Sequence, residues 1–386
     1  MNRTTGQNIL FIVVGLMTSS AVAQSAAVFV SRPGQVIKLV DVNGDGDLLD
    51  FAEQSVFADS LPLDLDRITA QGGRLFVGAT SSAEVFVMAD LNADGDAMDF
   101  GEVLLYGQIP PSTPSPTLAG LAAAADGTVF AGDCMTGKLY AFVDANGDGD
   151  ALDFSETLVV AEGLSAPVAI TVRPDGAILV GQNDATIPVR ILQDRNGDGD
   201  FLDFAENLSY VENVSPGADI AAASDTRAFI TRTTTGEVMV LRDLNGDNDA
   251  LDVGEVVSYA AGLDAPLAVT SAGGGGLFVA ALDAAGTVYQ VRDVNGDGDA
   301  LDFAEVLTVA AGVNQPAGIV FLAAAPAGCL RGDVNHDTVV DISDVGSFVQ
   351  ILLCDAAPAD PCPADVNNDG AINGKDIQAF INRLLS

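Results

Sequence analysis

Between residues 27 and 323 short apolar runs alternate with clusters of turn residues, and the alternation repeats. The stretch ahead of Asp293 shows the unit. Pro266 to Thr270 is an apolar run followed by a Gly-rich turn, and Leu277 to Leu282 is a second run that ends near Gly286. Thr287 to Arg292 (TVYQVR) alternates apolar and polar residues, and Glu305 to Ala310 (EVLTVA) follows an acidic string. Runs this short, bounded by Gly, Asp and Asn, predict strands, four per unit. The acidic string occurs six times, starting at Asp41, Asp90, Asp144, Asp194, Asp243 and Asp293, at intervals of 49, 54, 50, 49 and 50 residues.

Four-stranded units at this period predict the blades of a β-propeller. The ends of the array complement each other. Ala27 to Val30 matches a second strand and Val36 to Val40 a third, so the first unit lacks its first strand. Ala317 to Ala323 (AGIVFLA) matches a first strand with nothing after it. A last strand that completes the first blade would close the ring and leave no open edge. The expectation is a mainly β chain: a six-bladed propeller over residues 24–325, closed by a C-terminal first strand. A linear β-solenoid fits less well, because fifty residues per coil is long.

Numbered from its first Asp, the 13-residue string places oxygen-bearing residues at positions 1, 3, 5, 7, 10 and 13. These are Asp41, Asn43, Asp45, Asp47, Asp50 and Glu53 in the first copy, and Asp90, Asn92, Asp94, Asp96, Asp99 and Glu102 in the second. They are Asp144, Asn146, Asp148, Asp150, Asp153 and Glu156, then Asp194, Asn196, Asp198, Asp200, Asp203 and Glu206, in the third and fourth. The last two copies carry Asp243, Asn245, Asp247, Asp249, Asp252 and Glu255, then Asp293, Asn295, Asp297, Asp299, Asp302 and Glu305. Calcium takes six to eight oxygen ligands, and an EF-hand loop supplies them from positions 1, 3, 5, 7, 9 and 12 with Gly at 6. Here the last two ligands and the apolar residue expected at 8 all move by one. The string therefore resembles an EF-hand loop with one residue inserted near position 7, set between the third and fourth strands of a blade as in integrin-type propellers. Each copy is expected to bind calcium, since every candidate ligand is a hard oxygen. Gly at position 6 would supply positive φ at the bend, and Asn248, which replaces it in the fifth copy, tolerates that region. Ala93 at position 4 is a tolerable departure. Leu49, Met98, Leu152, Leu202, Leu251 and Leu301 at position 9, with Phe (or Val253) at position 11, are expected to pack the loop onto its blade.

A linker (AAAPAG, residues 323–328) leads to two further loops, each followed by a helical pattern. The first loop offers Asp333, Asn335, Asp337, Asp341 and Asp344, and the second Asp365, Asn367, Asp369, Asn373 and Asp376, at positions 1, 3, 5, 9 and 12. Val345, Phe348, Val349 and Leu352, and then Ile377, Phe380, Ile381 and Leu384, give each helix one apolar face. This duplicated loop-helix pair, with Asp at position 12 and a Pro-rich connector, resembles a type I dockerin; residues 326–386 are assigned to this small all-α module. The resemblance implies calcium-dependent folding and docking onto a cohesin-like protein or another envelope component through residues 329–386. In that family the docking surface lies around loop positions 10 and 11, here Ile342 and Ser343, then Gly374 and Lys375. The two halves differ, which argues against docking in two orientations. Thr338 stands where the first loop needs Gly, so that loop is expected to bind weakly. With the six strings, this makes up to about eight calcium ions.

The chain has 386 residues, with 16 Lys and Arg against 54 Asp and Glu, a formal net charge of −38. Six strings of five acids hold 30 of those 54, so charge is concentrated in the loops. The balance excludes nucleic acid and an anionic membrane surface as partners. Arg3, the apolar run Ile9 to Met17 and the small-x-small Ala21-Val22-Ala23 predict a signal peptide over residues 1–23, hence a secreted or cell-surface protein with no membrane insertion after cleavage. Export permits disulfides; Cys134, Cys329, Cys354 and Cys362 allow three pairings, with Cys134 read as a free core thiol. The one His, His336, sits at a non-ligand loop position.

The first strands, expected to line the channel, are almost wholly small and apolar; Asp66, Arg67 and Asp219 are their charges. No His or paired-carboxylate constellation is visible there. The residues thus favour a non-enzymatic calcium-binding interaction or scaffold protein whose propeller ligand is unspecified, and no catalytic residue is assigned. The alternative is a propeller glycoside hydrolase or lyase in polysaccharide catabolism, with Asp66 or Asp219 as a general base. A carbohydrate-binding propeller is weakened by the absence of Trp and by having only five Tyr, since sugar stacking favours aromatic platforms.

Overall fold

The computed structural model describes residues 26–323 except 51, 93, 224–225 and 273–275, and residues 331–385 except 333, 335–339, 341, 343, 354–362 and 368–371. Residues 1–23, expected to be a signal peptide, and Cys329, Cys354 and Cys362 lie outside the described residues.

Six four-stranded antiparallel sheets form the ring. Blade 2 shows the order from channel to rim: Leu65–Gln71, Arg74–Ala79, Glu84–Met88 and Val103–Gln108. Blades 3 to 6 repeat it in chain order. Blade 1 takes its innermost strand, Gly318–Leu322, from the end of the array; it pairs antiparallel with Ala27–Arg32 in the register Ala27 to Leu322 and Ser31 to Gly318. The expected closure is therefore present. Gly318–Leu322 also lies between the innermost strands of blades 6 and 2, so the six innermost strands neighbour one another around a closed channel.

The strand assignments follow from burial. Blades pack face to face, so both faces of a middle strand are covered, and runs such as Leu277–Ala281 (LFVAA) are buried at every position. Apolar side chains from neighbouring blades merge into shared clusters: Phe29 and Phe57 of blade 1 pack with Ile68, Leu75 and Val77 of blade 2. Outermost strands have one wet face, which exposes Leu104, and a bulge between Leu105 and Gly107 takes Tyr106 out of the alternation and leaves it fully buried.

In the C-terminal module two helices are described, α1 (Asp344–Leu353) and α2 (Asp376–Leu385). Phe348 and Phe380 stack with ring centroids 4.2 Å apart, and Val334, Ala364 and Val366 complete the core. The apolar faces read from the sequence are covered only in part. Val345, Leu352 and Leu384 pack against this core, whereas Val349, Ile377 and Ile381 are more than 40 % exposed. Two short helices bury one line of contact between them, and the flanking apolar positions stay at the surface.

Candidate metal-binding loops

Each acidic string is a closed hairpin loop between the third and fourth strands of a blade. In the third copy the Val143 amide bonds to the Glu156 carbonyl at 2.9 Å and closes the loop at its base. The Glu156 side chain turns inward: Oε1 accepts the Ala145 amide at 3.0 Å and Oε2 the Asp153 amide at 3.1 Å. All six of these glutamates are buried, and all six make the same pair of bonds. A buried carboxylate with both oxygens on backbone amides fixes the two ends of the loop against each other.

The early acids shape the turn. Asp144 accepts the Gly147 amide at 2.7 Å and the Gly149 amide at 3.0 Å. Asn146 Oδ1, Asp148 Oδ1 and Asp150 Oδ1 each accept the amide two residues on. Asn146 Nδ2 donates to Asp148 Oδ2 at 3.0 Å and to Asp153 Oδ2 at 2.8 Å, drawing two carboxylates to one point. The other copies repeat this, for example Asn43 with Asp45 and Asp50. The carboxylate oxygens of Asp41, Asp45 and Glu53 lie within 4.8 Å of one another, as do those of Asp198, Asp200 and Glu206. The Gly197 amide holds the Asp194 carboxyl below its ordinary value, whereas burial, with the charges of Asp247, Glu255 and Asp252, pushes Asp249 up.

Position 6 has the expected positive φ, including +73° at Asn248. That Asn has its own partner: Nδ2 donates to Gln193 Oε1 at 2.8 Å. Position 12 is also left-handed in every copy, with φ between +69° and +76° at Ala52, Ser155, Ala205 and Ala304. The sequence carries only a faint mark of this, the Gly residues at 101 and 254.

The packing assigned to positions 9 and 11 is not observed. Position 9 is about half exposed, and Phe100, Phe154, Phe204, Val253 and Phe303 at position 11 are fully exposed; Phe51 lies outside the described residues. Position 8 packs instead. Leu48, Ala97, Ala151, Phe201, Ala250 and Ala300 are buried, and each donates its amide to the outermost strand of the preceding blade, at 2.6–2.9 Å. The inserted residue turns position 8 toward the neighbouring blade and leaves 9 and 11 facing outward. Side chains of the preceding blade reach the same loops: Lys38 Nζ donates to the Gly95 carbonyl and Arg242 Nη2 to the Gly298 carbonyl. The strings are thus clasps between blades.

In the C-terminal module the terminal acid repeats the clamp. Asp376 Oδ1 accepts the Asn367 amide at 3.1 Å and Oδ2 the Asn373 amide at 2.9 Å. Asn373 stands three residues before Asp376 as Asp153 stands three before Glu156, so the one-residue offset between the loop types is visible in their bonding. Asp344 and Asp376 are fully buried, and Asp365 lies beside Arg331. Asp333, Asn335, Asp337, Asp341 and Asp369, with His336, Thr338 and Ser343, lie outside the described residues.

The channel charges, by contrast, converge. Arg67 Nε lies 3.5 Å from Asp219 Oδ1 and its Nη1 3.7 Å from Asp66 Oδ1. Its Nη1 donates to the Ala317 carbonyl at 2.7 Å and its Nη2 to the Ala218 carbonyl at 2.5 Å, so one guanidinium ties blade 2 to blade 1 and to the opposite blade 5. Burial pushes both the Asp66 and the Asp219 carboxyl up. Among the described residues no helix is long and apolar enough to cross a membrane.

Comparison with curated proteins gives no match for this sequence. Solved structures share the ring. The nidogen/laminin complex matches with a TM-score of 0.54 at 15% identity, covering 77% of this chain and 98% of that one. A Bacteroides uniformis protein given the provisional name 6-phosphogluconolactonase matches with a TM-score of 0.50 at 16% identity, covering 76% and 82%. At such identities the likeness is one of fold alone. The C-terminal module is more specific. Residues 331–385 match the model of the dockerin type I domain, a calcium-binding module, so the chain is a six-bladed β-propeller followed by a dockerin type I domain.

Proposed function

We propose that this is an exported, calcium-stabilised propeller that its dockerin carries onto a cohesin-type partner. The observation that carries the reading is the dockerin match over residues 331–385. It is supported by the apolar side chains that the module leaves uncovered: Ile342 and Leu353 are each 81% exposed, and Val349 on α1 and Ile377 and Ile381 on α2 are also exposed. Exposed apolar side chains on so small a module mark a docking face.

The propeller loops are calcium sites in this reading. Their donor set is carboxylate and amide oxygen, the chemistry calcium selects. Asp148 and Asp153 already converge on one donor, the Asn146 amide, where a cation would gather them more strongly. The ion would bind positions 1, 3, 5, 7, 10 and 13 and neutralise acids that otherwise repel. Since position 8 clasps the preceding blade, calcium would tighten the seams of the ring. The chemistry in this reading is structural, supported by the Arg67 guanidinium that stands between the two channel carboxylates.

The test is capture of a cohesin module by the full-length protein in calcium and in chelator, with Asp365→Ala/Asp376→Ala as control. Capture that requires calcium and is lost in the control supports the reading. A folded protein that captures no cohesin in calcium overturns it.

A further inference from the structure

The channel holds a cavity of about 170 Å³, more than ten times the roughly 10–15 Å³ that one water requires. Its wall has an alternation that the individual strands do not reveal. Thr69, Ala122, Thr171, Ala221, Thr270 and Val320 occupy the same register position on the six innermost strands. Each pairs with the corresponding residue of the second strand, such as Phe76 for Thr69, Leu179 for Thr171 and Phe278 for Thr270. Threonine therefore stands in every other blade, and all three threonines line the cavity.

Each threonine hydroxyl accepts an amide from the following blade: Thr69 from Ala123 at 3.2 Å, Thr171 from Ala222 at 3.0 Å and Thr270 from Phe321 at 3.2 Å. That role uses the oxygen and leaves the hydroxyl proton to donate, and these three protons have no acceptor among the described residues. At one end of the cavity the Arg67–Asp219 pair forms a polar floor. Asp219 Oδ2 accepts the Val269 amide, and its Oδ1 lies 3.5 Å from the buried Arg67 Nε.

Charge selects the ligand class. Two carboxylates face one guanidinium in a strongly acidic chain, which disfavours an anion; the guanidinium itself disfavours a cation. Three hydroxyl donors around the wall, with a donor and an acceptor at the floor, match a molecule whose groups both accept and donate. We propose that the channel binds a small neutral polyhydroxylated ligand, a monosaccharide or cyclitol, held between the hydroxyls of Thr69, Thr171 and Thr270 and the Arg67–Asp219 floor.

Titration calorimetry on the calcium-loaded full-length protein tests this, with D-glucose, D-galactose, D-xylose and myo-inositol as probes and gluconate and phosphate as anionic counterparts. At least one neutral probe should bind, and the anions should bind at least tenfold more weakly. Ala221→Leu, which fills the cavity from the register position next to Thr171, should abolish binding. Thr171→Val should weaken it about tenfold and Thr171→Ser should retain it. If the leucine variant does not fold, the Val and Ser variants decide. Failure of all four neutral probes to bind, equal binding of an anion, or binding unaffected by Thr171→Val overturns the proposal.

Discussion

The Phe201 amide donates to the Val160 carbonyl at 2.7 Å across the seam between blades 3 and 4, and the two side chains share one buried cluster. The other seams repeat the bond with residues of different size. Where the outermost strand offers Phe57, Tyr106, Tyr210 or Tyr259, the next loop offers Ala97, Ala151, Ala250 or Ala300; where it offers Val160 or Val309, the loop offers Phe201 or Leu48. Large meets small at all six seams, so volume is balanced around the ring.

This complementarity gives a double-mutant cycle. Phe201→Ala should cost about 3–5 kcal/mol, because it leaves a cavity. Val160→Tyr should cost about 1–3 kcal/mol, because the seam is already full. The double variant reproduces the pairing of Tyr106 with Ala151 and should recover at least half of the summed loss. Denaturant titration of the four proteins measures the coupling; strict additivity would mean that the two side chains do not share one space.

The buried glutamates predict what calcium does. Glu156→Gln keeps one acceptor but turns an amide N–H toward a backbone donor, either Asp153 N or Ala145 N. A loss of about 1–3 kcal/mol is expected without calcium, from one unmade buried bond. Metal analysis should find one calcium fewer per chain than in the wild type. For the wild type, chelation should lower the melting temperature of the ring, since an ion bound only by the folded state at a hundred times its Kd contributes about 2.7 kcal/mol. An unchanged melting temperature in chelator would count against loops that bind calcium.

Position 12 offers a stabilising change. Ala52, Ala205 and Ala304 hold φ near +70°, which costs an L-residue about 1–2 kcal/mol, while Gly101 and Gly254 hold the same turn freely. Replacing Ala205 by Gly trades that strain against the smaller entropy cost of a glycine, so Ala205→Gly should raise stability by about 0.5 kcal/mol. The same exchange at Ala122, on an innermost strand, should only destabilise.

How far the fold could be read in advance depended on the range of the interaction. The strings were legible because an oxygen at every second position is a local pattern, and ring closure because Ala317 to Ala323 matches the strand that the first unit lacks. The role of position 8 was not. An apolar residue at 9 beside a Phe at 11 reads as a packing pair in a linear string, and only the neighbouring blade shows that Ala151 is the contact and Phe154 is bare. Thr69, Thr171 and Thr270 likewise look like isolated residues until register aligns them. Asp66 and Asp219 were visible as the channel's charges, but their meeting at Arg67 joins residues 153 positions apart in the sequence.

Alkali should find a weak point in the seams. Burial pushes the Tyr106 and Tyr210 hydroxyls up to about 12, and neither hydroxyl has a hydrogen-bond partner among the described residues. An unfolded tyrosine ionises near pH 10. Below that pH both states carry the proton and stability is unaffected; above it the unfolded state loses protons first, so stability should fall between about pH 10 and 12. Tyr106→Phe/Tyr210→Phe should be neutral or slightly stabilising at about pH 7 and should flatten the alkaline decline. Fluorescence-monitored unfolding across that range gives both values, and an equally steep decline in the double variant would exclude these tyrosines as its source.

Arg67 joins three blades through two carbonyls and two carboxylates, so removing it should do more than remove one side chain. Arg67→Met leaves Asp66 and Asp219 without their cation in a buried channel and should cost about 3–5 kcal/mol at neutral pH. The pH dependence separates this from a simple packing loss. Both carboxyls already ionise less readily than usual in the intact protein because of burial. Without the guanidinium their folded-state values rise further above the unfolded ones, so the folded state takes up protons first as pH falls. The deficit of Arg67→Met should therefore shrink as pH falls from neutral toward the ordinary carboxylate value of about 4. Adding Asp219→Asn, which removes one charge and keeps its shape, should recover part of the deficit at pH near 7 and weaken the pH dependence. A deficit that is constant with pH would mean that Arg67 acts through its bonds to Ala218 and Ala317 alone.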